Sequence, residues 1–180
     1  MKAIAVTGIP GTGKTTLSKK LAKRLSYAYL DVNKLISKYK ISEGYDKKRK
    51  TQIVDIGKLN KFLINKIKSL KNKSLNQKSN EKIQFKNKII KIKGIIIDSH
   101  LSHYLPRRYI DFCIVTKCDV KELNKRLKRK KFNKNKIKEN LQAQIFDVCY
   151  NEALDRKHKI IVVNTTKGFN INKIAKQIGG

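Results

Sequence analysis

Negative charge is what this chain has least of: 13 Asp and Glu stand against 44 Lys and Arg in 180 residues, a formal balance of +31. Such a surface repels basic partners and concentrates polyanions, with RNA the obvious class. Lys, Ile and Asn share AT-rich codons, so genome base composition is a competing source of the same excess. Cysteine is also scarce. Cys113, Cys118 and Cys149 are odd in number and show no C-x-x-C spacing, which argues against a disulfide framework and a thiolate zinc site. A reducing cytoplasm fits. Nowhere do about 18 apolar residues run together, so no membrane span is expected, and Ala3 to Val6 is too short for a signal-peptide core. The chain has no internal repeat and no Ser-His-Asp or Cys-His arrangement that could be argued as a nucleophilic site.

What is present suffices for one core. With 39% hydrophobic residues, 180 residues predict a single domain over 1–180. Lys2 to Thr7 reads as a buried strand, followed by a Gly-rich turn and a helix from Lys14 to Leu25 with Leu17, Leu21 and Leu25 at helical spacing. Ala28 to Leu30 is a second strand and Asp31 to Lys38 a short helix. A polar loop follows around Glu43-Gly44-Tyr45-Asp46. Ile56 to Leu70 carries Leu59, Leu63, Ile67 and Leu70 on one helical stripe. Lys71 to Lys93 is Lys/Asn-rich and reads as a basic insertion with a marginal hairpin at Ile83 to Lys86.

Gly94 to Ile97, Phe112 to Thr116 and Ile160 to Val163 are continuous apolar runs, as in strands covered on both faces. Between and after them, Asp119-x-x-Glu122 resembles a capping box before a helix bearing Leu123 and Leu127. Ile137 to Leu154 reads as one long amphipathic helix, and Ile171 to Ile178 closes the chain. Alternating strands and helices predict an α/β, three-layer nucleotide kinase fold, with a five-stranded parallel sheet in the order 2-3-1-4-5 and a ligand site at the strands' carboxyl ends.

Gly8-Ile9-Pro10-Gly11-Thr12-Gly13-Lys14-Thr15 matches G-x-x-x-x-G-K-[ST] in the context that motif needs, between a strand and a helix. Glycines let backbone N–H groups turn inward around a phosphate, and the helix N-terminus adds positive potential. Gly11, Thr12, Gly13, Lys14, Thr15 and Thr16 are therefore the candidate ATP-binding residues. Lys14 would reach the β- and γ-phosphates, Thr15 would ligate Mg²⁺, and Thr16 would meet the α-phosphate. Asp98 ends an apolar run at the same sheet edge and is the second candidate for Mg²⁺, through water. His100, two residues on, could orient that water or a phosphate. The plain alternatives are a carboxylate capping the next turn and a surface histidine. His103 and His158 read as surface or packing residues, and Cys113 and Cys149 as small core residues. Arg126, Arg129, Lys130 and Lys131 could form a cationic lid, or simply a solvated charge run.

Together these motifs resemble the atypical adenylate kinases of archaea and eukaryotes that also act in maturation of the small ribosomal subunit. Gly8 to Thr16 looks like that family's P-loop, Glu43-Gly44-Tyr45-Asp46 like its monophosphate-region marker, and Asp98-Ser99-His100, followed by Pro106, like its D-x-H segment. Lys136-Ile137-Lys138-Glu139-Asn140 and Glu152-Ala153 resemble the helix after its lid. The resemblance implies ATP and Mg²⁺ as cofactors, AMP or another nucleoside monophosphate as acceptor, and accompanying ATPase activity. It also implies a small-subunit ribosomal protein, with rRNA of the pre-30S particle, as partners. It places the acceptor at about 31–55 and the lid at about 129–140, with Arg129 and Lys130 as catalytic cations beside Lys14, Asp98 and His100. Lys130-Lys131-Phe132 stands where the family has Arg-Gly-aromatic, and Asn33-Lys34 where it has Gly-Asp.

Overall fold

The computed structural model describes residues 1–47, 51–75, 84–85, 88–89 and 93–179, with side chains of 73–92 left aside. Strands β1 (Lys2–Thr7), β2 (Ala28–Asp31), β7 (Gly94–Asp98), β8 (Phe112–Lys117) and β9 (Ile160–Asn164) form the main sheet. Its order is β2-β7-β1-β8-β9 and every pairing is parallel. Counting only these strands, that is the predicted 2-3-1-4-5. The hydrophobic runs are continuous because each strand is covered twice. Ala3, Ala5, Ile95 and Ile97 pack on one face with Leu59, Leu63 and Ile67 of α3 (Ile56–Leu75) and Leu123 and Leu127 of α4 (Val120–Arg129). Ile4, Val6, Ile96 and Ile114 pack on the other with Leu17, Leu21 and Leu25 of α1 (Lys14–Leu25) and Ile174 and Ile178 of α7 (Ile171–Ile178). Each buried Ile or Leu contributes about 1.5–3 kcal/mol, so the three-layer order is strongly selected.

Parallel register brings the strand ends together. Val6 and Asp31 both lie opposite Asp98, one on each side of β7. Asp31 also starts α2 (Val32–Lys38), accepting from the Lys34 N–H at 3.2 Å. Gly8 leaves β1 at φ +136°, where a Cβ would come within 2.5 Å of the Thr116 carbonyl oxygen, so the turn from strand to P-loop needs glycine on conformational and steric grounds.

Several local expectations are corrected. The polar loop at Glu43 to Asp46 is a strand, β3 (Ser42–Asp46), paired antiparallel with β4 (Thr51–Val54) so that Tyr45 faces Gln52. Its exposed polar face hid it from a hydrophobic reading. Ile137 to Leu154 is not one helix. It divides into α5 (Lys134–Ile145) and α6 (Val148–Asp155) at Asp147, which takes φ +51°. No Gly or Pro marks that break. Aspartate tolerates the left-handed region, Lys117 pairs with its carboxylate at 2.8 Å, and Asn151 Nδ2 donates to the freed Phe146 carbonyl at 3.0 Å. Helix α3 runs on to Leu75, into the segment expected as insertion. Within that insertion two short strands, β5 (Gln84–Phe85) and β6 (Lys88–Ile89), pair antiparallel. Ile83 and Lys86 of the expected hairpin lie outside the described residues.

The capping box forms by half. Asp119 accepts from the Lys121 and Glu122 N–H groups, whereas the Glu122 carboxylate turns forward to Arg126 Nε at 2.8 Å. The Asp119 N–H is taken instead by the Thr166 hydroxyl at 2.8 Å. No helix among the described residues is long and apolar enough to cross a membrane.

Candidate active site

A cleft of about 1140 Å³ opens over the carboxyl ends of β1, β2 and β7. Its floor is the P-loop. Gly11 and Gly13 take φ +95° and +82°, conformations that turn their amides along the loop, and Gly13 precedes α1 with no side-chain cap, leaving the helix N-terminus open to an anion. The loop is held from beneath. The Thr12 hydroxyl donates to the Ile9 carbonyl at 2.7 Å and meets the Thr116 hydroxyl at 2.7 Å, while Thr165 donates to the Thr12 carbonyl at 2.8 Å. Thr12 is fully buried, so its side chain braces the cradle while Thr15 and Thr16 stand exposed beside the cleft.

Lys14 Nζ donates to the Gly8 and Ile9 carbonyls at 2.7 and 3.0 Å. Burial pushes its ammonium down to about 8, with the Lys130 charge acting the same way and Asp98 opposing it. It stays largely protonated at neutral pH. An ammonium held by neutral carbonyls is ready to exchange them for phosphate oxygens. Asp98, 5% exposed, accepts from the Tyr29 hydroxyl at 2.8 Å. Thr15 and Asp98 supply hard oxygen donors of the kind Mg²⁺ prefers, and neither is locked in an ion pair with Lys or Arg among the described residues. That donor set fits the metal.

His100 lines the same cleft. Its side chain is exposed to solvent within the cleft, as a surface histidine would be, while the surrounding walls and then the Lys14 ammonium push the imidazole down to about 4, so the ring is neutral at pH 7. The turn between α4 and α5 brings Arg129, Lys130, Phe132 and Lys136 to the rim. Lys131 within it takes φ +55° and is exposed, as are Arg129 and Lys130. Opposite lies the β3–β4 hairpin, with Tyr45, Thr51 and Gln52 on the wall, and Asn33 and Ser37 of α2 below it. Every residue named for the nucleotide, the metal or the cationic lid thus lines one cleft except Thr12 and Lys131.

Three contributors escaped the sequence reading. Tyr29 sits beside Asp98; strand period two placed it on the same face as Asp31, which was the available signal. Thr165 comes from the far loop after β9, which nothing in the sequence linked to residue 12. The third is a buried relay around His103, which is 1% exposed and therefore a packing residue. Its Nδ1 meets the Thr7 hydroxyl at 2.6 Å and its Nε2 the Glu152 carboxylate at 2.9 Å, where Tyr104 also donates at 2.7 Å. The carboxylate assigns the ring proton to Nε2, leaving Nδ1 to accept from Thr7. Burial keeps this histidine below its usual range despite Glu152. The network ties α6 to the last residue before the P-loop. His158 is likewise buried, donating from Nε2 to the His103 carbonyl at 2.9 Å. Cys113, Cys118 and Cys149 are all buried free thiols, and burial raises each thiol's pKa.

Comparison with known proteins agrees with this geometry. A family model described as an AAA domain matches residues 4–147. The "Putative adenylate kinase" of Methanocaldococcus jannaschii is 34% identical over 163 residues, covering 91% of this chain and 76% of the relative. That of Pyrococcus furiosus is also 34% identical, over 91% and 74%. The "Adenylate kinase isoenzyme 6 homolog" of Dictyostelium discoideum is 28% identical over 89% and 78%. In fold the chain is similar to shikimate kinase from Acinetobacter baumannii, with TM-score 0.54, 16% identity and coverage of 99% and 90%. It is similar also to deoxyadenosine kinase from M. mycoides, with TM-score 0.53, 15% identity and full coverage of both chains. With its P-loop, its 2-3-1-4-5 sheet and relatives that align along nine-tenths of its length, the chain belongs to the adenylate kinase-like family of P-loop phosphotransferases.

Proposed function

We propose that this protein is a cytoplasmic nucleoside monophosphate kinase that converts ATP and AMP into two ADP, built as one domain over 1–180. The observation that carries the reading is the single cleft in which a P-loop, a buried carboxylate, a cationic turn and a separate polar wall face one another. Two nucleotides need such a two-sided site, and a simple hydrolase does not. The amides of Gly11 to Thr16 and the Lys14 ammonium bind the donor phosphates. Thr15 and Asp98 would hold Mg²⁺, which when bound neutralises charge on the β- and γ-phosphates. Residues 31–55 enclose the acceptor. An acceptor phosphate oxygen attacks the γ-phosphorus as the bond to the β–γ bridging oxygen breaks, and the released charge stays on ADP. Neutral His100 orients a phosphate or a water without adding a second positive charge beside Lys14. Arg129 and Lys130, on the segment 129–140, close over the γ-phosphate and exclude water. No covalent protein intermediate is required.

The reading extends to ATPase activity and to work in late maturation of the 30S subunit, with a small-subunit ribosomal protein and its rRNA as partners. The family resemblance and the +31 charge support that extension. A second reading is an assembly-factor ATPase with little kinase activity. It is favoured by Lys130 standing where the family has an arginine, since a point charge replaces a bidentate fork. A kinase for another small acceptor is the third. The test is turnover of purified protein with Mg²⁺, separating ADP, AMP and phosphate, with and without AMP, beside Lys14→Ala. ADP formed stoichiometrically from ATP plus AMP, and reduced at least a hundredfold in the variant, supports the kinase. Phosphate release indifferent to AMP but stimulated by RNA or ribosomal protein supports the assembly factor, and acceleration only by another acceptor supports the third reading.

A further inference from the structure

Tyr29 stands behind the cleft lining, beside the metal candidate Asp98. It lies on β2 opposite Ile96 of β7, two residues before the strand ends. Its hydroxyl donates to Asp98 Oδ2 at 2.8 Å. The phenol is the donor and the carboxylate the acceptor across the β2–β7 pair.

The direction has a chemical use. A carboxylate that holds a divalent cation, directly or through water, needs a partner that fixes its orientation while leaving one oxygen free. The phenol donates its hydrogen bond to Oδ2, so that oxygen is committed and Oδ1 is the one left to address a cation or its water. Lys19 Nζ of α1 lies 5.9 Å from the Tyr29 ring centroid. Resting on the reading of Thr15 and Asp98 as the metal-binding pair, we propose that Tyr29 is a positioning residue for the metal-nucleotide complex. It sets the carboxylate's orientation.

The test uses Tyr29→Phe in the full chain, which removes one oxygen and keeps the half-buried ring; a thermal melt checks the fold. Binding of ADP is measured by calorimetry in EDTA, and Mn²⁺ binding to the enzyme–ADP complex by electron paramagnetic resonance, so no acceptor or turnover is needed. The variant is expected to lose about tenfold in Mn²⁺ affinity, the usual scale for partners of metal ligands, while metal-free ADP binding stays within about twofold. Asp98→Asn, alone and combined with Tyr29→Phe, completes a cycle in which the double variant loses little more than Asp98→Asn alone. Wild-type Mn²⁺ affinity in Tyr29→Phe, equal loss of ADP binding in EDTA, or additive losses in the cycle would each overturn the proposal. None of these outcomes depends on AMP being the acceptor. If wild-type protein binds ADP but Mn²⁺ does not join the complex, the metal-binding reading of Thr15 and Asp98 fails before Tyr29 is tested.

Discussion

The floor of the cleft and its rim are built on opposite terms. Thr12, at the heart of the P-loop, is fully buried and tied by hydrogen bonds to Ile9, Thr116 and Thr165. Lys130 and Lys131, on the turn above, are exposed. A phosphate cradle works by holding donors where charge will sit, so rigidity serves it. A turn that must open for substrate and close for chemistry is drawn from the less stable parts of the fold. The comparison teaches that substitutions in the floor should act on stability and binding together, whereas those on the rim should act on turnover or local strain alone.

The largest effect is expected at Gly8→Ala. A methyl group there meets the Thr116 carbonyl oxygen at 2.5 Å at a φ of +136°, so urea unfolding should show a loss of about 2–4 kcal/mol, with ATP binding weakened in parallel. Full stability in that variant would mean the floor is softer than its hydrogen bonds imply. Lys130→Arg should leave the unfolding midpoint unchanged and raise kcat several-fold, because a planar fork can grip two phosphate oxygens where an ammonium grips one. Steady-state kinetics decide it, and a lower kcat would show that the turn presents another cation. The smallest effect is expected at Lys131, whose φ of +55° suits glycine. Lys131→Gly should stabilise the chain by about 0.5–1 kcal/mol in chemical denaturation without touching ATP binding. Destabilisation would show that the lysine side chain anchors the rim.

Legibility in the sequence followed the same division. The P-loop was readable because one contiguous segment carries the whole device, with Gly8, Gly13 and Lys14 fixed by local backbone demands. Asp98 was readable because it ends a buried strand. The hairpin at Ser42–Asp46 was not, since its strands are exposed and carry no alternation of apolar residues. The bend at Asp147 was not, because an ion pair and a side-chain amide stabilise it rather than a glycine or proline.

What the sequence determined by itself was therefore periodic or contiguous: buried strands, amphipathic helices, their alternation into a parallel sheet, and a phosphate loop at its edge. Hydrophobic burial and backbone sterics act over a few residues, so one stretch of chain suffices to specify them. What only the tertiary structure decided was which distant groups share a proton or a charge. Tyr29 with Asp98, Thr165 with Thr12, and His103 between Thr7 and Glu152 are hydrogen-bond pairings across 69, 153, 96 and 49 positions. Such bonds are short and directional, and they exist only after the sheet's register has brought its ends together.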